Sequence, residues 1–131
     1  MTTQNFTFLT KEEVLEAHAK VIKAFGGSHG LRDDGALDSA LHAAENRHYY
    51  EDADLAVCAA TYAFHLTQAH AFIDGNKRIA DVAAVLFLKL NGSELIATAK
   101  ELIDLFLKIA ASEMTREEVE QFFAAHVKFK S

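Results

Sequence analysis

The segment His-Ala-Phe-Ile-Asp-Gly-Asn-Lys-Arg, residues 70–78, gathers an imidazole, a carboxylate, an amide and two cations within nine positions. Asp74-Gly75 interrupts the chain, and the apolar run that follows, from Ile79 to Asn91-Gly92, has the character of a buried helix. Asn76, Lys77 and Arg78 therefore fall in a first helical turn. Backbone N–H groups there lack intrahelical partners and point outward along a dipole that favours anions. Asn76 adds an amide donor, Arg78 a fork able to grip a phosphate through two parallel bonds, and Lys77 a mobile point charge. With Gly75 admitting the chain to the turn, this is a phosphate cradle. Asp74, just outside it, is the lone carboxylate a protein commonly gives to a magnesium ion whose other ligands are phosphate oxygens and water. His70 stands ahead of the turn, and an ordinary pKa of about 6.5 suits it to take a proton from an attacking hydroxyl. Phe72, between them, plugs into the core. Cradle, metal carboxylate and base together imply phosphoryl or nucleotidyl transfer. Read separately, Asp74-Gly75 is a turn, Asn76 a cap, and Lys77 and Arg78 are solvated charges. Two successive cations in a first turn oppose the dipole, however, and ask for a reason.

Helices must position these residues. Capping boxes open three of them, Thr10 with Glu13, Thr98 with Glu101 and Thr115 with Glu118, where hydroxyl and carboxylate reciprocally satisfy free backbone donors. The first helix carries Val14, His18, Val21, Ile22 and Phe25 along one face. Residues 26–35, Gly-Gly-Ser-His-Gly-Leu-Arg-Asp-Asp-Gly, read as a connector in which Arg32 and Asp33 form a turn pair or brace the motif. A short helix over 36–46 follows, then a break at 47–54, Arg-His-Tyr-Tyr-Glu-Asp-Ala-Asp. Another apolar helix runs from Leu55 to about Ala69. The run after the motif is apolar around most of its circumference, which marks a helix enclosed by others. Proline is absent and alternating strand patterns are scarce. The expected fold is all-α, a bundle around a central buried helix, with residues 1–131 forming one domain.

Half of the 131 residues are hydrophobic and the net charge is −6, 19 acids against 13 lysines and arginines. No basic stripe is present, which argues against direct nucleic-acid binding through bulk electrostatics. No apolar run reaches the roughly 18 residues of a membrane span, and the first residues lack the pattern of a signal peptide. The cytoplasm is the expected compartment. Cys58, the single cysteine, lies among small apolar residues and is expected to be buried and inert. His18, His29, His42, His48, His65 and His126 show no metal-ligand spacing and are expected to be structural or superficial.

The nine-residue motif resembles the signature of the death-on-curing (Doc) toxins, a branch of the Fic-domain superfamily. The preceding Gly-Leu-Arg-Asp-Asp-Gly-Ala-Leu-Asp-Ser-Ala-Leu and the later Val-Leu-Phe-Leu-Lys-Leu-Asn-Gly resemble Doc-like toxins in order and spacing, so the resemblance covers nearly the full chain. It implies a Fic-like helical fold, ATP with magnesium as cosubstrate, and a toxin–antitoxin operon. By position it makes His70 the general base and Asp74 the magnesium-side carboxylate. Gly75, Asn76, Lys77 and Arg78 become the anion-binding loop and helix start, and Phe72 the anchor. Tyr49 and Tyr50 are placed either in the flap that aligns the target segment or in ordinary packing.

Departures from the broader Fic pattern, His-Pro-Phe-x-x-Gly-Asn-Gly-Arg-x-x-Arg, sharpen the expectation. Lys77 stands in place of the second glycine and Asp81 in place of the second arginine; Ala71 replaces proline. A glycine leaves room for nucleotide phosphates, whereas a lysine fills it and favours a reversed nucleotide that presents its γ-phosphate. The resemblance thus implies a Doc-like Ser/Thr protein kinase acting on a translation factor, with elongation factor Tu the leading candidate. A Fic-type transferase adding AMP and an inactive module that only pairs with an antitoxin are the alternatives. No internal Ser/Thr-x-x-x-Glu-Gly/Asn inhibitory segment is present, so inhibition falls to a separate small antitoxin of the prevent-host-death type.

Overall fold

The computed structural model describes residues 5–130. Three helices begin where the capping boxes place them: α1 (Lys11–Phe25), α5 (Ala99–Ala110) and α6 (Arg116–His126) each show both reciprocal bonds. Between α1 and α5 lie α2 (Asp34–Glu51), α3 (Leu55–Ala69), α4 (Asn76–Leu90) and a strand, β1 (Ser93–Leu95); β2 (Val127–Phe129) follows α6. Asp33 and Asp54 cap α2 and α3 by accepting from the N–H groups of Ala36 and Val57. The fold is all-α, apart from the short antiparallel pair in which Ser93 faces Phe129 and Leu95 faces Val127.

Two interior helices, α3 and α4, lie side by side. The apolar run of α4 predicts that it is the enclosed one. In the fold α3 is the more enclosed, touching α2, α4, α5 and α6 and burying Cys58, Ala59, Tyr62, Ala63 and Leu66. On α4, Val82 and Leu90 stay 37% and 41% exposed, because α1, α3, α5 and β1 leave part of its surface uncovered. The small residues of α3 admit close approach from several directions, and burial lifts the Cys58 thiol to about 12, leaving it inert. The Tyr62 hydroxyl spends its buried position accepting from the Leu9 N–H at 3.1 Å.

Two elements differ from the sequence expectation. The short helix and the first five residues of the expected break form a single 18-residue helix, α2, and the break is confined to 52–54. No glycine or proline interrupts residues 47–51, and Arg47 joins Glu51 at 3.2 Å and Glu120 on α6 at 2.8 Å. The helix stops where Asp52 turns left-handed at φ 54°. At the other end of the chain, Val127–Phe129 leaves the helical path of α6 to pair with β1.

Candidate functional site

The motif spans the gap between the two interior helices. His70 ends α3 in a left-handed conformation, φ 48° and ψ 41°, a geometry glycine usually supplies. Ala71 and Phe72 then turn inward and are buried, while Ile73 and Asp74 return to the surface. Gly75, at φ 78°, admits the chain to α4. A Cβ at Gly75 would lie 3.2 Å from Ile22 Cδ1 and in a conformation L side chains rarely adopt, so the position requires glycine twice over. Asn76 locks the passage: the Phe72 N–H donates to its Oδ1 at 3.1 Å, and its Nδ2 donates to the Phe72 carbonyl at 2.9 Å.

The connector after α1 runs alongside this segment. The Arg32 and Asp33 N–H groups donate to the Ala71 carbonyl at 2.7 and 3.0 Å, and Ile73 N–H donates to Gly30 at 3.1 Å. Leu31 and Phe72 form an isolated antiparallel bridge. Arg32 and Asp33 thus brace the motif through their backbones, and Asp33 also caps α2. The Asp74 carboxylate accepts from the Ser28 N–H at 2.8 Å through Oδ2, and its backbone carbonyl meets His18 Nε2 at 2.8 Å.

The start of α4 differs from every other helix start among the described residues. Each of the other five has a side-chain oxygen accepting from the third-residue N–H; Gly75 provides none. The first turn also carries Lys77 and Arg78 and no acid. A cleft of about 260 Å³ opens there, walled by Asp74 through Arg78 on one side and by Phe25, Gly26 and Gly27 on the other. The Arg78 guanidinium lies 3.8 Å above the Phe25 ring centroid, and this contact holds the fork against the cleft wall. On the far side of Lys77 and Arg78, a second cleft of about 200 Å³ is lined by Asp81 and by Leu102, Ile103, Phe106 and Leu107 of α5. Burial raises the Asp81 carboxyl above its ordinary pKa, against the pull of Arg78.

Asp74, Gly75, Asn76, Lys77 and Arg78 are therefore brought to one cleft, and Phe72 lies buried beneath them. His70 is exposed at the rim of the motif and does not line the cleft. Tyr49 and Tyr50 are exposed and helical. They lie on the last turns of α2, about 24 Å along the helix from the end that touches the motif, and Tyr49 packs near Phe8. The segment beside the motif is 26–33. His18 and Phe25, expected on one face of the first helix, and Ser28 of the connector also touch the site. The signal available for His18 was one polar residue on an otherwise apolar helix face. Three other histidines bond to carbonyls four or five positions away, His42 to Asp38, His48 to Ala53 and His126 to Phe122, and His126 also meets Glu101.

A helical bundle that holds an uncapped, cationic helix start behind a histidine-led loop has the architecture of the Fic proteins. The chain belongs to the Fic/DOC family, whose model matches residues 8–88, from the approach to α1 to the last turns of α4. It is 33% identical over 112 residues to a relative named protein kinase doc from Escherichia phage P1, covering 85% of this chain and 88% of that protein. It is 41% identical over 92 residues to a relative named toxin Doc from Mycolicibacterium smegmatis, covering 69% of this chain and 68% of that one. Among the described residues no helix is long and apolar enough to cross a membrane.

Proposed function

We propose that this chain is the toxin of a type II toxin–antitoxin pair, a Doc-like Ser/Thr protein kinase that moves the γ-phosphoryl group of ATP to a hydroxyl of a translation factor. Elongation factor Tu is the leading candidate, and a small antitoxin of the prevent-host-death type is the expected inhibitor. The observation that carries this reading is the start of α4, where free N–H groups, Arg78 and Lys77 converge on one cleft. The relatives' names, one a kinase and one a toxin, point the same way.

The cleft is open to solvent and is lined by the cations and backbone of the helix start, a lining that suits the phosphate groups of a nucleotide. Asp74 keeps Oδ1 without a hydrogen bond among the described residues while Ser28 fixes Oδ2. No group of three His, Cys, Asp or Glu side chains able to hold a metal ion occurs among those residues. One carboxylate fits magnesium, which takes few protein ligands when phosphate oxygens and water complete its shell; bound there, it would neutralise charge on the phosphates. The helix start and Arg78 would hold the phosphate oxygens and stabilise charge developing on the transferred group. His70 would take the proton of the target hydroxyl as its oxygen bonds to the γ-phosphorus and the bond to the β-phosphate oxygen breaks, releasing ADP.

Incubating the protein and its target with ATP labelled on the α- or the γ-phosphate tests the reading. Only the γ-label should reach protein. Transfer of the α-label would mean AMP addition, and no transfer alongside normal antitoxin binding and no growth arrest would mean an inactive pairing module.

A further inference from the structure

We infer that His18 is a positioning residue for Asp74, an inference that rests on the reading of Asp74 as the magnesium-side carboxylate. His18 lies on α1 and is 3% exposed, between Val14 and the Val21–Ile22 pair on the buried face of that helix. An apolar side chain would fill such a position without loss. A buried imidazole there is tolerated only with its polar atoms bonded. Its Nε2 lies 2.8 Å from the Asp74 carbonyl, an oxygen that only accepts, so Nε2 must carry the proton. The same ring stacks on Phe72 at 3.7 Å with 13° between planes, and Nε2 lies 3.5 Å from where a Gly75 Cβ would be. One side chain therefore meets the anchor, the carboxylate residue and the glycine that opens α4.

Asp74 is consequently held at two points, its carbonyl by His18 and its carboxylate by the Ser28 N–H at 2.8 Å. Both come from one stretch of chain, α1 and the loop that leaves it. Gly27 completes the seat, since a Cβ there would come within 3.2 Å of Asp74 Cβ. With the carbonyl released, Ile73 and Gly75 stay bonded to Gly30 and Ile79, but among the described residues Asp74 itself keeps only the Ser28 bond. Oδ1 then no longer points reproducibly towards a cation.

The test compares His18→Leu, which removes the donor, with His18→Gln, whose amide nitrogen reaches about as far as Nε2, and His18→Asn, whose nitrogen falls short. Two quantities are read: amide hydrogen exchange at Ser28 without ligand, and the magnesium concentration at which a non-hydrolysable ATP analogue binds by calorimetry. Leu and Asn should speed Ser28 exchange and raise the magnesium requirement, each by about tenfold, as loss of one buried bond implies. Gln should stay near wild type in both. If His18→Leu does not fold, the contrast between Gln and Asn decides. Folded Leu or Asn variants with wild-type Ser28 exchange and magnesium dependence would overturn the inference, as would a folded Gln variant as impaired as Asn. Asp74→Ala serves as the reference. If it leaves the magnesium requirement unchanged, the reading of Asp74 fails on its own, and Ser28 exchange still decides whether His18 holds the loop.

Discussion

Asn76 and Phe72 exchange two hydrogen bonds, side chain to backbone, so that the first residue of α4 is tied to the buried anchor four positions earlier. The amide is needed in both senses, as donor and as acceptor. Asn76→Asp keeps the acceptor, turns the other oxygen against the Phe72 carbonyl, and puts negative charge at the cleft. Stability should fall by about 1–2 kcal/mol, and binding of an ATP analogue by about tenfold or more. Denaturant titration and calorimetry check the two effects. Unchanged binding would separate Asn76 from the anion site.

His70 occupies a left-handed position at the end of α3, which is unfavourable for a residue with a Cβ by about 1–2 kcal/mol. Replacing it with glycine relieves that strain, whereas alanine keeps it. Both variants should lose on the order of 10² to 10⁴ in phosphoryl-transfer rate, while the glycine variant is the more stable of the two by about 1 kcal/mol. Matched thermal melts and single-turnover rates would show it. A variant with wild-type rates would remove His70 from the proton transfer.

Lys77 stands in the first turn of α4 with its side chain exposed to the cleft. Lys77→Gly empties that volume and removes one positive charge. On the proposed reading it should shift the product from phosphoprotein towards AMP-protein, adducts that intact mass separates at about 80 and about 329 Da. A glycine variant that still adds phosphate alone would show that Lys77 does not set the orientation of the nucleotide.

Asp81 gives a pH signature. Burial raises its carboxyl pKa in the folded chain, so the folded state holds the proton more tightly than the unfolded one. Its contribution to stability is therefore lost as pH rises from the unfolded carboxylate value of about 4 through the higher folded one. Asp81→Asn should be more stable than wild type near neutrality, and the difference should shrink as pH falls to about 4 and below. Denaturation curves at the two pH values measure this. A difference that grows on acidification would contradict the assignment.

What could be read from the sequence was local chemistry. Thr10 with Glu13, Thr98 with Glu101 and Thr115 with Glu118 mark helix starts because a cap is made within four residues, and all three form. The composition of residues 70–78 likewise singled out the segment whose residues Asp74 through Arg78 line one cleft. The length of α2 was not legible, since a polar run without glycine or proline carries no stop signal before Asp52. Strands of three residues are too short to alternate visibly. The contacts of His18 and Ser28 with Asp74 join residues 56 and 46 positions apart. Nothing in one sequence states how α1 lies against a loop so distant.

On the proposed reading, the bare beginning of α4 would make the fold itself a sensor of its own occupancy. Among the described residues five helices have a side-chain acceptor at their first turn, and the sixth has none at Gly75. On the proposed reading, an anion bound there would take up the free N–H groups of that turn, and so be at once a ligand and a piece of secondary structure. Melting temperature should then rise with phosphate-bearing ligand, by an amount equivalent to about 2.7 kcal/mol at a hundredfold excess over its dissociation constant. Amides at the start of α4 should slow their exchange before those of any other helix respond.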